Sequence, residues 1–251
     1  MMHSLTTHRA IVLGVKKYTD KHSIAHVYSD QRGRLSLLVP QGNTRGARMR
    51  NALLMPLSAV EVLARQSSAT TPAVVQHVRR LQAVDNIYCD PIKSAIALYM
   101  SELLTRTVQE QERNELLFEY VKASALLLND ISHGVANFHV CFTWHLAPLL
   151  GIQPDMDTYH DAARAGGGKC WFDMQGGVFT PVATLASQCL PPDKALAMWQ
   201  LSRMTFANMH LFRYSRAQRR ELLELMLAYL KLHHLAVGTM HSPEILKEVF
   251  D

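Results

Sequence analysis

The sequence predicts an α+β protein: a five-stranded β-barrel over residues 1–80, then a mostly helical domain over 81–251 with a loop-rich insert at 153–183. Three observations carry this reading. Apolar residues recur with period two in the first third and with helical period after Asp90. Turn-forming residues break the first third into short segments, too short for helices. Charge divides at the same place: residues 1–80 hold 12 Lys and Arg against 3 Asp and Glu, a net +9, while the remaining residues carry a net −4.

The expected strands follow in order. Arg9–Lys17 alternates, with Ile11, Leu13 and Val15 on one face. Ile24–Ser29 and Arg34–Val39 are joined by Asp30-Gln31-Arg32-Gly33, where Gly33 can take a positive φ. Leu57–Leu63 and Val74–Val84 complete the set, separated by a Ser/Thr/Ala loop at 66–71. Five short strands in about 80 residues suit a small closed barrel, for which the OB-fold is the natural candidate.

Asp90 is an N-cap with Pro91 at the first helical position. Ile92, Ala95, Ile96, Tyr99 and Leu103 make one apolar stripe. A second helix is expected over Asn114–Asn129, and a third over Val135–Leu150, stopped by Gly151 and Pro154. Beyond the insert, with its Gly-rich run at 162–168, helical patterning covers Asp193–Met209 and 215–234. A last short helix opens at Ser242-Pro243.

Composition bounds the function. Hydrophobic residues at 48% and charged residues at 19% describe a globular chain. Four scattered cysteines point to a reducing compartment, and a cytoplasmic protein is expected. The start has no apolar signal core, and no run reaches the roughly 18 apolar residues of a membrane span. A folded segment at +9 repels itself, and an anionic partner is the usual reason for keeping such charge.

The basic residues that could meet that partner are Lys16, Lys17, Lys21, Arg32, Arg34, Arg45, Arg48 and Arg50. The stretch from Gln41 to Arg50 is densest, and it reads as a mobile loop whose glycines let the backbone approach a phosphate chain. Such a patch binds DNA or RNA through phosphates, with little sequence preference. Tyr18 and Tyr28 are candidate stacking platforms for bases, although a strand tyrosine is more often simply packed. A second cluster, Arg203, Arg213, Arg216, Arg219 and Arg220, either extends the nucleic-acid track or receives an acidic peptide. Arginines at a helix start oppose the helix dipole, which favours an anionic partner over a merely solvated helix end.

No catalytic site, cofactor or metal is expected. Gly166-Gly167-Gly168-Lys169 lacks the leading glycine of a phosphate loop, and Cys170 stands where Ser or Thr would hold magnesium. Cys170 and His160 share the insert, but no Cys-x-x-Cys pair accompanies them.

Several short segments together resemble the RecO family of bacterial recombination mediators. They are Ala10–Tyr18, Gln31–Arg34, Val39-Pro40-Gln41-Gly42 with its following arginines, Leu98–Leu104, Leu117–Tyr120, Leu149–Pro154, Phe172-Asp173 with Gly176-Gly177, and Ser242–Leu246. The likeness spans nearly the whole chain in order. It implies an N-terminal OB-fold, a helical domain and a zinc-finger-like insert. It also implies binding to single- and double-stranded DNA, strand annealing, and action with RecR to help RecA replace single-strand-binding protein. The C-terminal tail of single-strand-binding protein is then the expected partner of Arg213, Arg216 and Arg220. This chain departs from the family in the insert. Thr158-Tyr159-His160-Asp161 and Val178-Phe179-Thr180 stand where paired cysteines are expected, so metal should be absent. The alternative function is an adaptor whose basic barrel binds an acidic protein instead of nucleic acid.

Overall fold

The computed structural model describes residues 4–66, 72–183, 188–233 and 237–250. Residues 67–71, most of the expected loop between the fourth and fifth strands, lie outside them, as does His234 at the expected end of the long helix. Two compact units emerge, Met1–Ile131 with Met240–Val249, and Ser132–Thr239 with Phe250–Asp251. The helices that follow the barrel, up to Ile131, fall in the same compact unit as the barrel.

In the first unit, β1 (Ser4–Lys17), β2 (His22–Ser29), β3 (Gly33–Pro40), β4 (Ala59–Gln66) and β5 (Ala73–Gln82) close a barrel in the order β1-β2-β3-β5-β4. β1 is long enough to serve two neighbours: its first half pairs with β4 and its second half with β2. A short parallel pairing of β3 with β5 closes the ring. The expected OB-fold architecture is therefore present. Its interior is filled by small and branched aliphatic side chains, among them Val12, Ala25, Val27, Leu37, Val39, Val60, Val62 and Val75. Burying each Val or Leu fully stabilises the fold by about 1.5–3 kcal/mol.

β1 is buried on both faces. Ala10 and Val12 point into the barrel, while Ile11 and Leu13 are equally buried but lie outside the barrel core. There they meet α3 (Pro91–Thr107), whose Ser101 hydroxyl donates to the Leu13 carbonyl. The bulge between Val12 and Gly14 breaks the alternation, so Val15 does not share their burial and is 41% exposed. Asp90 caps α3 as expected, its carboxylate accepting from the amides of Ile92 at 2.8 Å and Lys93 at 3.2 Å. A short α2 (Asp85–Cys89) precedes it, and α4 (Glu115–Asp130) follows, capped by Asn114 at the Leu117 amide.

The turn between β2 and β3 explains its glycine. Gly33 sits at φ +60, and a Cβ there would lie 2.4 Å from the Glu112 carbonyl oxygen. Only glycine combines that conformation with that close approach. The segment from Gln41 to Arg50 corrects an expectation: it is no mobile loop throughout, because Arg45–Leu53 forms α1. Thr44 caps it by accepting from the Ala47 amide at 3.2 Å, Arg and Met are strong helix formers, and Ala47, Leu53 and Leu54 pack beneath it.

In the second unit a 3₁₀ turn leads into α5 (Phe138–Leu149), which ends as expected at Gly151, here at φ +75. Phe138, Phe142 and Leu146 of α5, and Met198, Leu201, Met226 and Leu230 of the later helices, are fully buried. The insert is more ordered than expected. It holds α6 (Thr158–Ala165) and the strands β6 (Trp171–Asp173) and β7 (Val178–Thr180), and β8 (Cys189–Leu190), just beyond it, completes a sheet in the order β7-β6-β8. α7 (Pro192–Ser202) is shorter than the pattern over Asp193–Met209 suggested. Asn208 donates to the Arg203 carbonyl at 3.0 Å and accepts from the Thr205 amide at 2.7 Å. These local side-chain bonds replace the helix ladder. α8 (Arg216–His233) follows. α9 (Ser242–Phe250) begins in the first unit, where the amides of His241 and Ser242 donate to the Glu102 carboxylate at 3.0 and 2.8 Å.

Candidate nucleic-acid interface

One end of the barrel collects most of the basic residues singled out in the sequence. The β1–β2 hairpin tip presents Lys16, Lys17 and Lys21, all exposed. The chain leaving β3 is bound to that tip: the Gln41 amide donates to the Lys21 carbonyl at 2.7 Å, and its side chain donates to Ser23 Oγ at 2.9 Å. Together they line a concavity of about 510 Å³ that includes Lys17, Lys21, Gly42 and Asn43. α1 starts immediately afterwards, with Arg45 and Arg48 exposed one helical turn apart. Between Asp30 and Glu61 the sequence has no acidic residue, so α1 brings charge without local compensation. At the tip, Asp20 pairs with Lys17 at 2.9 Å, but both side chains are largely solvated and the pair is weak.

Three of the expected residues are placed differently. Arg50 turns inward and donates to the Pro40 carbonyl, joining α1 to the end of β3. Arg34 is half-buried, and its guanidinium donates to the carbonyls of Thr105 at 2.7 Å and Val108 at 3.4 Å, at the C-terminal end of α3. Arg32 is exposed in the β2–β3 turn. That turn is the opposite end of β2 from Lys21, and eight residues of strand span roughly 26 Å. The sequence order of these arginines hid the fact that they belong to two ends of one barrel.

The tyrosines also separate. Tyr18, at 65% exposure, stands beside Lys17 at the hairpin tip and can stack a base. Tyr28 cannot, because it is buried against Phe118 with its hydroxyl directed at the Asn114 carbonyl. Burial, with the Glu110 charge, pushes its phenol up to about 12. α3 and α4 thus cover part of the outer β1–β3 face, and Lys16, Ile24, His26 and Ser36 remain on the other part. His26 was not singled out in the sequence. Its signal is its position two residues from Ile24 on the outward side of β2, which only strand register makes legible.

In the second unit the arginine cluster flanks a cleft of about 680 Å³, lined by Trp199, Arg203, Leu211, Phe212, Arg213 and Tyr214 among others. Arg203 lies over the Trp199 ring at 5.3 Å. Arg216 and Arg220 are exposed on α8 and do not line the cleft, and Arg220 is 3.6 Å from Glu224. Arg219 is engaged internally, donating to the Tyr214 carbonyl at 2.6 Å.

The insert does not fit a zinc ion. The two places where the resemblance expects cysteine pairs supply Tyr159 and Phe179 instead, packed edge to face at 5.1 Å. Tyr159 also stacks on Trp199 at 4.4 Å, and Phe172 joins Phe179 to Tyr229. Gly177 at φ +66 lets the β6–β7 hairpin pass close to the Tyr229 hydroxyl. No described group of His, Cys, Asp and Glu side chains could hold a metal ion, and no described helix is long and apolar enough to cross a membrane.

Two family models match the chain: the recombination protein O N-terminal model over residues 2–82 and the C-terminal model over residues 89–241. The DNA repair protein RecO of Bacteroides fragilis is 36% identical over 242 residues, covering 96% of this chain and 97% of that protein. Its counterpart from Porphyromonas gingivalis is 32% identical over 247 residues, covering 97% and 98%. That from Flavobacterium johnsoniae is 26% identical over 243 residues, covering 96% and 98%. With barrel, helical units and both family models in agreement along the chain, the protein belongs to the RecO family.

Proposed function

We propose that this chain is a DNA-binding recombination mediator acting in DNA repair. The observation that carries the reading is the gathering of Lys16, Lys17, Lys21, Arg45 and Arg48 around the hairpin tip and α1, beside the exposed ring of Tyr18. The loop between the first two strands and the outer face of strands two and three are where OB-folds take oligonucleotides. Cations there hold phosphates of single- or double-stranded DNA by counterion release, and Tyr18 adds a sequence-tolerant stacking contact. Holding strands without reading their sequence is what annealing requires. The family then suggests work with RecR to load RecA onto DNA coated with single-strand-binding protein, in the cytoplasm at the nucleoid.

The second unit offers a place for the acidic, aromatic-ended tail of single-strand-binding protein. Its cleft combines apolar walls from Trp199, Leu211 and Phe212 with Arg203 and Arg213 for carboxylates. Of the three arginines expected there, Arg213 lines the cleft, whereas Arg216 and Arg220 serve at most as outlying charge.

The deciding experiment is a titration of labelled single- and double-stranded oligonucleotides at two salt concentrations, with an annealing assay alongside. Salt-sensitive binding and accelerated annealing support the mediator. Absence of binding to either DNA, with capture of an acidic peptide by the barrel, supports the adaptor alternative.

A further inference from the structure

The outer face of the barrel carries one titratable side chain whose surroundings are built for an anion. His26 sits at the middle of β2, opposite Gly14 of β1 and Ser36 of β3, and its Nδ1 is 3.0 Å from the Ser36 hydroxyl. Gly14 has no side chain to cover the ring, and Ser36 is small and exposed. The charges acting on the ring come from both neighbouring strands, Lys16 on β1 and Arg34 on β3. On its own strand, Tyr28 is buried and Ile24 is apolar. The ring is therefore a half-buried imidazole between two cations, on the part of the face that α3 and α4 leave open.

We propose that His26 contacts the DNA backbone on the outer face of the barrel and takes up a proton as it does so, coupling DNA binding to pH. This rests on the barrel being the DNA-binding surface. In the free protein, burial and the positive charges of Arg34 and Lys16 lower the affinity of the imidazole for a proton, so it is neutral near pH 7. A phosphate arriving beside Lys16 offsets the positive charge that disfavours the imidazolium. It also gives a charged ring nitrogen an acceptor, while Ser36 Oγ can accept from the other. The proton comes from solvent, and the bound state holds one more than the free states combined. Linkage then makes affinity rise as pH falls through 7, by up to about tenfold per pH unit, the limit for one proton.

The test uses the full chain and a fluorescent oligothymidine at fixed salt. Calorimetry in buffers of different ionisation enthalpy counts protons taken up, and anisotropy from pH 6 to 8.5 gives the slope of affinity. The wild type should take up a fraction of a proton that peaks at pH values between the free and DNA-bound midpoints of the ring, and His26→Gln should bind with that uptake removed. A Lys16→Gln control should bind more weakly yet retain a measurable slope. The imidazole resonance of His26 in the wild type should titrate at higher pH with oligonucleotide than without, a readout needing no variant. Binding without proton uptake, or uptake unchanged in His26→Gln, would overturn the proposal while leaving the DNA-binding function intact. No binding at pH 8 and pH 6 alike would remove that function and the proposal together.

Discussion

Arg34 donates to the Thr105 carbonyl across a separation of 71 residues, tying β3 to the last turn of α3 at 2.7 Å. A residue that reads as a DNA contact in the sequence thus shares the helix-end Thr105 carbonyl with the Gln109 side-chain amide, which donates to it at 2.8 Å. The same turn is held by the Arg34 amide on the Glu110 carbonyl at 2.9 Å and by the close approach of Gly33.

Arg34→Met should therefore act on stability more than on direct DNA contact. Loss of a part-buried, charge-assisted bond costs about 1.5–3 kcal/mol, visible as a lower denaturation midpoint. DNA affinity per folded molecule should change less than in the Arg45→Ala, Arg48→Ala double variant. The opposite pattern would place Arg34 on the DNA.

That double variant should bind with a shallower dependence of log affinity on log salt. Each lost phosphate contact removes about 0.7 from the slope with single strands. Arg50→Ala should leave the slope nearly unchanged and lower the melting temperature, since its guanidinium is spent on Pro40. An unchanged slope in the double variant would show that α1 is not on the track.

Acid should loosen α9 through Glu102. Burial opposes the charge of this carboxyl, but hydrogen bonds from Ser242, Arg106 and His241 outweigh it and hold the group down at about 2, against an ordinary 4.5. The folded state thus binds this proton less readily than the unfolded state. The resulting stability is present above about pH 4.5 and is lost as pH falls toward 2. Glu102→Ala should lower stability by about 2 kcal/mol at pH 7 and flatten that part of the acid profile, measured by denaturant titration.

The insert should be indifferent to chelators. Metal analysis of purified protein should find no stoichiometric zinc, and the melting temperature should not move with chelator. Trp199→Ala, which removes the half-buried ring stacked on Tyr159, should cost about 1–3 kcal/mol and expose the insert to proteolysis. One tightly held zinc per chain would contradict this.

Charge reversal at Arg203 and Arg213 should weaken an acidic, aromatic-ended peptide by more than tenfold, each charge-assisted contact being worth about 1.5–3 kcal/mol. Binding of DNA by the barrel should largely persist. Reversal at Arg216 and Arg220 should have the smaller effect, as neither lines the cleft.

By itself the sequence determined the elements and their chemistry. Period-two patterning marked β1 to β5, Asp90-Pro91 marked the start of α3, Gly33 marked its turn, and the excess of arginine and lysine marked a basic first third. These are local properties, set by side-chain alternation, capping and charge, and they survive without knowledge of what packs against what. Tertiary structure decided which arginines stay in solvent and which are struts. Arg34, Arg45, Arg48 and Arg50 look alike in sequence, yet Arg34 donates to a carbonyl at the end of α3 and Arg50 to one at the end of β3. It likewise buried Tyr28 under Phe118 while leaving Tyr18 in solvent, and it set His26 between Lys16 and Arg34. Strand register brings together residues distant in the chain, and the covering of one side of a strand by a helix is a long-range contact that no local pattern encodes.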